Sequence, residues 1–239
     1  MYQARTYREW VSASGLVSFN VTIRQSDLMI RARRDLRRQA ETILERVRAD
    51  IEAEVARNPA FRDSLSPLPL PPFAAPVIES MLRAGAAFDV GPMAAVAGAV
   101  AQVVGQGLER WSPEVIVENG GDIYLRTDRP VEIGLYAGED SPYSGGLRLR
   151  VDPKGRGIGL CTSSGTVGHS LSFGVSDAVV VLADDAAFAD AAATAVGNRI
   201  TSPDAVAAVL EDERRRARLR GLLVTVGKRM GAWGEMEVF

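Results

Sequence analysis

The stretch CTSSGTVGHS, residues 161–170, holds the one cysteine and the one histidine of the chain, Cys161 and His169, around a run of hydroxyls and glycines. Three readings are open to it: a Cys–His nucleophile, a phosphate-holding loop, or a plain turn between strands. A nucleophilic dyad needs the thiol and the imidazole within hydrogen-bond reach and a third group to orient the ring. Cys161 instead continues the apolar pattern of GRGIGL before it, and reads as a small buried strand residue. Thr162, Ser163, Ser164, Gly165 and Thr166 suit phosphate oxygens, which hydroxyls and backbone N–H groups can hold. His169 offers a donor or acceptor at that edge, or a proton shuttle near neutral pH.

Three further stretches carry chemically useful spacing. In VENGGDIYL (117–125), Asn119-Gly120-Gly121-Asp122 separates two strand-like runs. It reads as a tight hairpin turn; the same glycines would also let a ligand lie against the backbone, with Asn119 and Asp122 beside it. In FADAAATAVGN (188–198), Asp190 and Thr194 stand at i,i+4 on one helix face, within reach of a common ion. Asp190 either faces solvent or, if buried among the alanines, needs a partner, and a hard cation such as Mg²⁺ takes oxygen ligands of this kind. VGPMAAVAGAV (90–100) puts Pro92 at a helix start whose free N–H groups could meet an anion, although its small residues serve close helix packing equally well.

The elements that must hold these residues follow from periodicity. Alternation over 16–32 predicts a β-hairpin turning at Gln25-Ser26-Asp27, and a long amphipathic helix covers about 33–57 with Leu36, Ala40, Ile43, Val47, Ile51 and Val55 as its apolar stripe. The arginines of 31–38 read as a solvated helix face. SPLPLPPFAAP (66–76) is a connector, followed by helices near 76–86 and 92–105. Strands are expected at about 114–118, 122–127, 131–137, 147–151, 157–162 and 177–182, then a helix over about 185–197. Ser202 and Pro203 start a further helix running to about 217, and two last strands lie around 221–227 and 233–238. The order predicts an α+β fold: duplicated units in which antiparallel sheets carry helices packed on one face. The expectation is a single domain over 1–239 made of two pseudo-repeated halves, about 1–137 and 138–239.

Composition bounds the function. A net charge of −2 over 239 residues argues against a general nucleic-acid binder. One cysteine excludes internal disulfides and CxxC metal knuckles and fits a reducing compartment. The N-terminus carries no apolar core with a cleavage site, and the most apolar run, 90–104, falls short of the roughly 20 residues a membrane span needs. The expectation is a cytoplasmic protein with no nucleic-acid or membrane partner; association with copies of itself stays open.

Taken in order, GPMAAVAGAVAQVVG, VENGGDI, TSSGTVGHSLSFG and ADAAATAVGN resemble the FAD:protein FMN transferases (ApbE-like proteins), most closely an uncharacterised bacterial and archaeal branch. The resemblance spans most of the chain. It implies a T-fold-like architecture and an enzyme that cuts FAD at its pyrophosphate and attaches FMN to a Thr or Ser of a target protein, using Mg²⁺. Carried over, Asp190 and Thr194 match the metal-binding Asp and Thr, Asn119, Gly120, Gly121 and Asp122 the turn beside the flavin nucleotide, and Thr162, Ser163, Ser164 and Gly165 the T-S-G loop. Two departures stand out. No lysine exists where the family's Ala-Lys-Gly falls, on Val96-Ala97-Gly98, and the H-x-x-D-P-x-T-G signature is missing, with only His169 nearby.

The resulting expectation is a binder of a phosphate-bearing ligand, FAD, FMN or another nucleotide, with Mg²⁺-dependent flavin nucleotidyl or phosphoryl transfer or hydrolysis, and with a protein as acceptor. His169 and Asp190 are the candidate catalytic groups. The alternative is a non-catalytic flavin- or pterin-type module that has kept the scaffold and lost the chemistry. A Cys161–His169 hydrolase is a third reading.

Overall fold

A computed structural model describes residues 15–138, 141–144, 146–165 and 173–239. The chain opens with the hairpin β1 (Val17–Ile23) and β2 (Ser26–Ala32). Its Ile23↔Ser26 register puts the turn at Arg24-Gln25, slightly ahead of the position expected from sequence, and Arg24 takes the left-handed φ of 53° that closes it. Helices α1 (Arg37–Arg57), α2 (Ala60–Asp63), α3 (Pro76–Phe88) and α4 (Val96–Leu108) follow, α4 being entered through a 3-10 turn at Pro92–Ala95. In α1 the stripe is centred on Ala40, Leu44 and Val47; Ile43, expected there, is only partly buried.

Next come β3 (Val115–Asn119), β4 (Asp122–Arg126), β5 (Val131–Gly134), β6 (Arg148–Val151), β7 (Ile158–Ser163) and β8 (Ala178–Ala183). Helices α5 (Ala186–Arg199) and α6 (Ala205–Arg216) lead to β9 (Gly221–Val226), β10 (Arg229–Gly234) and β11 (Met236–Val238). Among the described residues, eight strands form one sheet in the order β1-β2-β3-β4-β7-β8-β9-β10, with every neighbouring pair antiparallel. The α+β class with antiparallel sheets and helices is the observed one.

Strand alternation splits the core in two. Val115, Val117, Tyr124, Cys161, Val179 and Val181 face the helices. Ile116, Ile123, Leu125, Leu160, Val180 and Leu223 face the other way, onto a second sheet of three strands in the order β11-β6-β5. Strands covered on both faces read as unbroken apolar runs, which is why AVVVLA of β8 and LLVTV of β9 show no polar alternation. Two boundaries differ from the sequence reading. Gly234, at φ 108°, splits the expected strand 233–238 between β10 and β11. Ser202 and Pro203 form a turn in which the Ala205 N–H donates to the Ser202 carbonyl, so α6 starts at Ala205 rather than at Pro203.

Three elements meet at Ala186, the first residue of α5. A Cβ on Gly98 of α4 would stand 2.2 Å from the Ala186 carbonyl oxygen, and one on Gly159 of β7 would stand 2.3 Å from the Ala186 Cα. Both contacts are with backbone, which cannot rotate away. Asp185 caps α5 by accepting the Phe188 N–H at 2.8 Å, and Gln102 of α4 donates to its second oxygen at 2.6 Å. The start of α5 is thereby pinned to α4 and β7. Gly159→Ala is expected to cost about 3 kcal/mol by overpacking, read as a lowered midpoint in urea unfolding at unchanged slope.

Candidate functional site

The pinning of α5 places Asp190, one turn beyond Ala186, at the N-terminus of α4. The Gly98 N–H donates to Asp190 Oδ2 at 2.9 Å. The anion that meets the free N–H groups of α4 is therefore a carboxylate from α5. The solvent-facing reading of Asp190 does not hold: its surface is mostly covered. The close approach requires glycine at 98, since a Cβ there would also lie 2.9 Å from the Asp190 Cβ.

The hairpin turn Asn119-Gly120-Gly121-Asp122 reaches the same place from the sheet. Gly120 and Gly121 take φ of 70° and 108° and close a two-residue turn between the paired Asn119 and Asp122. A Cβ on either glycine would meet nothing within 4 Å, so the turn's outer surface is open. Asn119 Nδ2 donates to the Ala97 carbonyl at 3.1 Å, tying the turn to α4. Asp122 shares the helix-facing side of β4 with Tyr124; it is buried, and its Oδ1 accepts the Thr162 N–H at 3.1 Å.

On β7, alternation separates the expected loop residues. Ser163 is buried and lies on the helix-facing side with Cys161. Thr162 pairs with Val180 and lies on the opposite side, so it contributes its N–H here while its hydroxyl points away. Ser164 is partly exposed, and the exposed Gly165 donates its N–H to the Ser176 carbonyl at 2.9 Å. Thr194 sits one turn beyond Asp190 on α5, partly exposed. Thr166 and His169 lie outside the described residues.

The electrostatics of this cluster are one-sided. Burial, with the charge of Glu118 adding to it, pushes the Asp122 carboxyl up to about 7, against the hydrogen bond from the Thr162 N–H. Burial and the charge of Asp122 raise Asp190 well above the ordinary carboxylate range, opposed by the N–H groups of Gly98 and Ala97. Among the described residues, the charges acting on these two groups are thus carboxylates. Two buried like charges cannot both ionise without a cation or a shared proton.

Cys161 is fully buried, and its Sγ donates to the Ala186 carbonyl at 3.2 Å. Burial and the charges of Asp122 and Asp190 push its thiol up, opposite to what a nucleophile needs. Cys161→Ala is expected to leave nucleotide affinity within about threefold while costing about 1–2 kcal/mol of stability through the lost sulfur packing. Isothermal calorimetry and chemical denaturation read the two effects separately.

Glu118, not among the site residues expected from sequence, is buried and accepts the Gly121 N–H at 2.9 Å through Oε1, bracing the turn that carries Asp122. A charged residue in the apolar run VIVEN was the available signal. Elsewhere, a cleft of about 370 Å³ lies between the ends of α3, α5 and α6; Phe88, Arg199, Glu213, Arg216 and Arg218 are among its lining residues, and neither Asp122 nor Asp190 is. Its arginines are engaged: Arg199 and Arg216 with Asp212 and Glu213, Arg218 with the Ala87 carbonyl and the Phe88 ring. No single helix among the described residues is long and apolar enough to cross a membrane.

Comparison with known proteins places the chain in a family. Residues 8–228 match the family model described as AbpE bacteria. The chain is 42% identical over 192 residues to a UPF0280 protein of Methanocella arvoryzae, covering 80% of this chain and 78% of that protein. It is 41% identical over 202 residues to a UPF0280 protein of Methanococcus aeolicus, covering 82% and 81%. Among solved structures, the flavinyl transferase ApbE of Pseudomonas stutzeri aligns with a TM-score of 0.53 at 13% identity, over 91% of this chain and 93% of that one. The apbe protein of Thermotoga maritima aligns with a TM-score of 0.54 at 12% identity, over 90% and 96%. At such identities the structural likeness establishes a shared fold.

Proposed function

Because the chain belongs to the AbpE bacteria family, we propose that it binds a flavin nucleotide, or another nucleotide of the same phosphate chemistry, at the Asp122–Asp190 site together with Mg²⁺. The observation that carries this reading is the buried carboxylate pair, assembled from β4 and α5 and lacking, among the described residues, an opposing charge. The donor set fits the ion. Mg²⁺ binds through one or two carboxylates and keeps waters and substrate phosphates, so it does not need a cage of three protein ligands, and none occurs among the described residues. Asp190 and Thr194 would hold it, Asp190 retaining one oxygen for the Gly98 N–H. When bound, the ion neutralises phosphate charge and polarises a phosphoryl oxygen.

The chain's own residues supply the rest of the proposed chemistry. Ser163 and the open backbone of Gly120-Gly121 would contact the phosphates, and Asn119 would keep that turn against α4. That structural neighbours are flavinyl and flavin transferases favours a flavin nucleotide as ligand; transfer to a protein acceptor, or cleavage of the FAD pyrophosphate, is the activity that the resemblance implies. The chain positions β1-β2, helices, β3-β4 and then β7-β8, helices, β9-β10 are read as two copies of one T-fold-like unit.

One observation favours the non-catalytic alternative. Where the transferases carry the lysine of Ala-Lys-Gly, Ala97 stands, and its carbonyl is taken by Asn119. Calorimetry of FAD, FMN and ATP with and without Mg²⁺, followed by mass spectrometry of the FAD sample, tests both readings. Mg²⁺-dependent binding with release of AMP or FMN supports an enzyme, and Mg²⁺-dependent binding with intact FAD supports the module. Absence of nucleotide binding under all conditions rejects the site reading.

A further inference from the structure

Beyond the ligand-facing groups, the described structure contains a brace on the Ser163–Gly165 turn. Asn198 continues the track of Asp190 and Thr194 along α5 at intervals of four residues, which on a helix is one face. Its side-chain Oδ1 accepts the Phe173 N–H at 2.9 Å. Two residues on, the Val175 N–H donates to the Ile200 carbonyl at 2.8 Å, and the Gly165 N–H donates to the Ser176 carbonyl at 2.9 Å. Segment 173–176 is therefore bound to the C-terminal end of α5 on one side and to the turn after β7 on the other.

The contacts are close as well as directional. A Cβ on Gly174 would stand 1.9 Å from the Gly197 carbonyl oxygen, and one on Gly165 would stand 2.2 Å from the Gly174 carbonyl oxygen. Two glycines thus let three backbones lie against each other, and only the Asn198 carbonyl reaches segment 173–176 from a side chain on α5 among the described hydrogen bonds.

We propose that Asn198 is a positioning residue for the site: it fixes segment 173–176 against α5 and, through the Ser176–Gly165 bond, sets the Ser163–Gly165 turn relative to Asp190 and Thr194. The inference rests on the nucleotide-binding reading of that site. Among the described residues Asn198 acts through its acceptor oxygen, so the conservative variant is informative. Asn198→Asp keeps an oxygen in place for the Phe173 N–H, whereas Asn198→Ala removes it.

The experiment measures FMN affinity by calorimetry in Mg²⁺, together with the melting temperature, for wild type, Asn198→Ala and Asn198→Asp. The expected result is about tenfold weaker binding for Asn198→Ala, the scale of one lost hydrogen bond, with Asn198→Asp within about threefold of wild type. Melting temperatures should stay within about 3 °C, so that weaker binding is not general destabilisation. Wild-type affinity in Asn198→Ala overturns the proposal. Equal losses in both variants also overturn it, because then the amide nitrogen, and not the acceptor oxygen, matters.

If wild type binds no FMN, the nucleotide reading fails and the brace is judged by hydrogen exchange at the amides of Gly165 and Phe173. Exchange faster in Asn198→Ala than in Asn198→Asp retains the brace. Identical exchange in all three proteins removes it.

Discussion

Asp190→Asn is expected to raise the melting temperature of the metal-free protein and, in the same molecule, to abolish the Mg²⁺ dependence of nucleotide binding. Asparagine keeps an oxygen for the Gly98 N–H and nearly the same shape, but it removes the charge that faces Asp122 across a buried site. Removing a buried carboxyl that the metal-free fold must keep protonated beside Asp122 is worth about 2 kcal/mol or more near neutral pH, which for a chain of this size raises the melting temperature by roughly 5 °C. Binding should move the other way. Wild type is expected to lose about a hundredfold in nucleotide affinity when Mg²⁺ is removed, and the variant to show the same weak affinity with or without the ion. A variant that melts lower than wild type and binds nucleotide as wild type does would make Asp190 a structural cap of α4 and nothing more.

The second large effect is on pH. In the metal-free folded protein Asp122 is pushed up to about 7 by burial, so the native state holds a proton that the unfolded chain releases near the ordinary carboxylate value of about 4. Its contribution to stability is complete below that unfolded value and is lost as pH rises through about 7, on the order of 3–4 kcal/mol in all. Asp190 is shifted in the same direction and steepens the loss. Mg²⁺ on Asp190 would compete with the proton for that carboxylate and offset its charge beside Asp122, so its stabilisation should grow with pH. Thermal scans at pH 5.5 and 8.5, with and without Mg²⁺, should show metal-free protein melting several degrees lower at the higher pH and Mg²⁺ recovering most of the difference there. A melting temperature independent of both variables would mean that the two carboxylates do not interact as described.

Much of the fold could be read from the chain because its large sheet is built of local hairpins. Strand alternation and Asn119-Gly120-Gly121-Asp122 mark β3 and β4 directly, and the turn needs the positive φ that only glycine takes easily. The strands of the second sheet are expected from sequence, at 131–137, 147–151 and 233–238, but their pairing with one another is not. They are four, four and three residues long, and β11 pairs with β6 across most of the C-terminal half, Val238 opposite Leu149. Alternation over such short runs marks a strand but does not specify its partner. The site was legible as four separate stretches, and only the family resemblance put them in one place. The physical cause of their meeting, Ala186 seated between Gly98 and Gly159, depends on missing side chains far apart in sequence. Thr162 shows the limit of motif reading: adjacent hydroxyls looked equivalent, yet the pleat sends its side chain and that of Ser163 to opposite faces.

In the proposed function Asp190 shares a divalent ion with a nucleotide phosphate. A crystal structure with FMN and Mn²⁺, which takes the same oxygen ligands as Mg²⁺ and gives an anomalous signal, tests it most directly. One anomalous peak is expected about 2.2 Å from an Asp190 carboxylate oxygen, with the Thr194 hydroxyl and a phosphate oxygen completing its shell and the phosphate lying beside Ser163 and Gly120-Gly121. FMN bound elsewhere, or bound here with the Asp190 carboxylate making only its bond to Gly98, would contradict it.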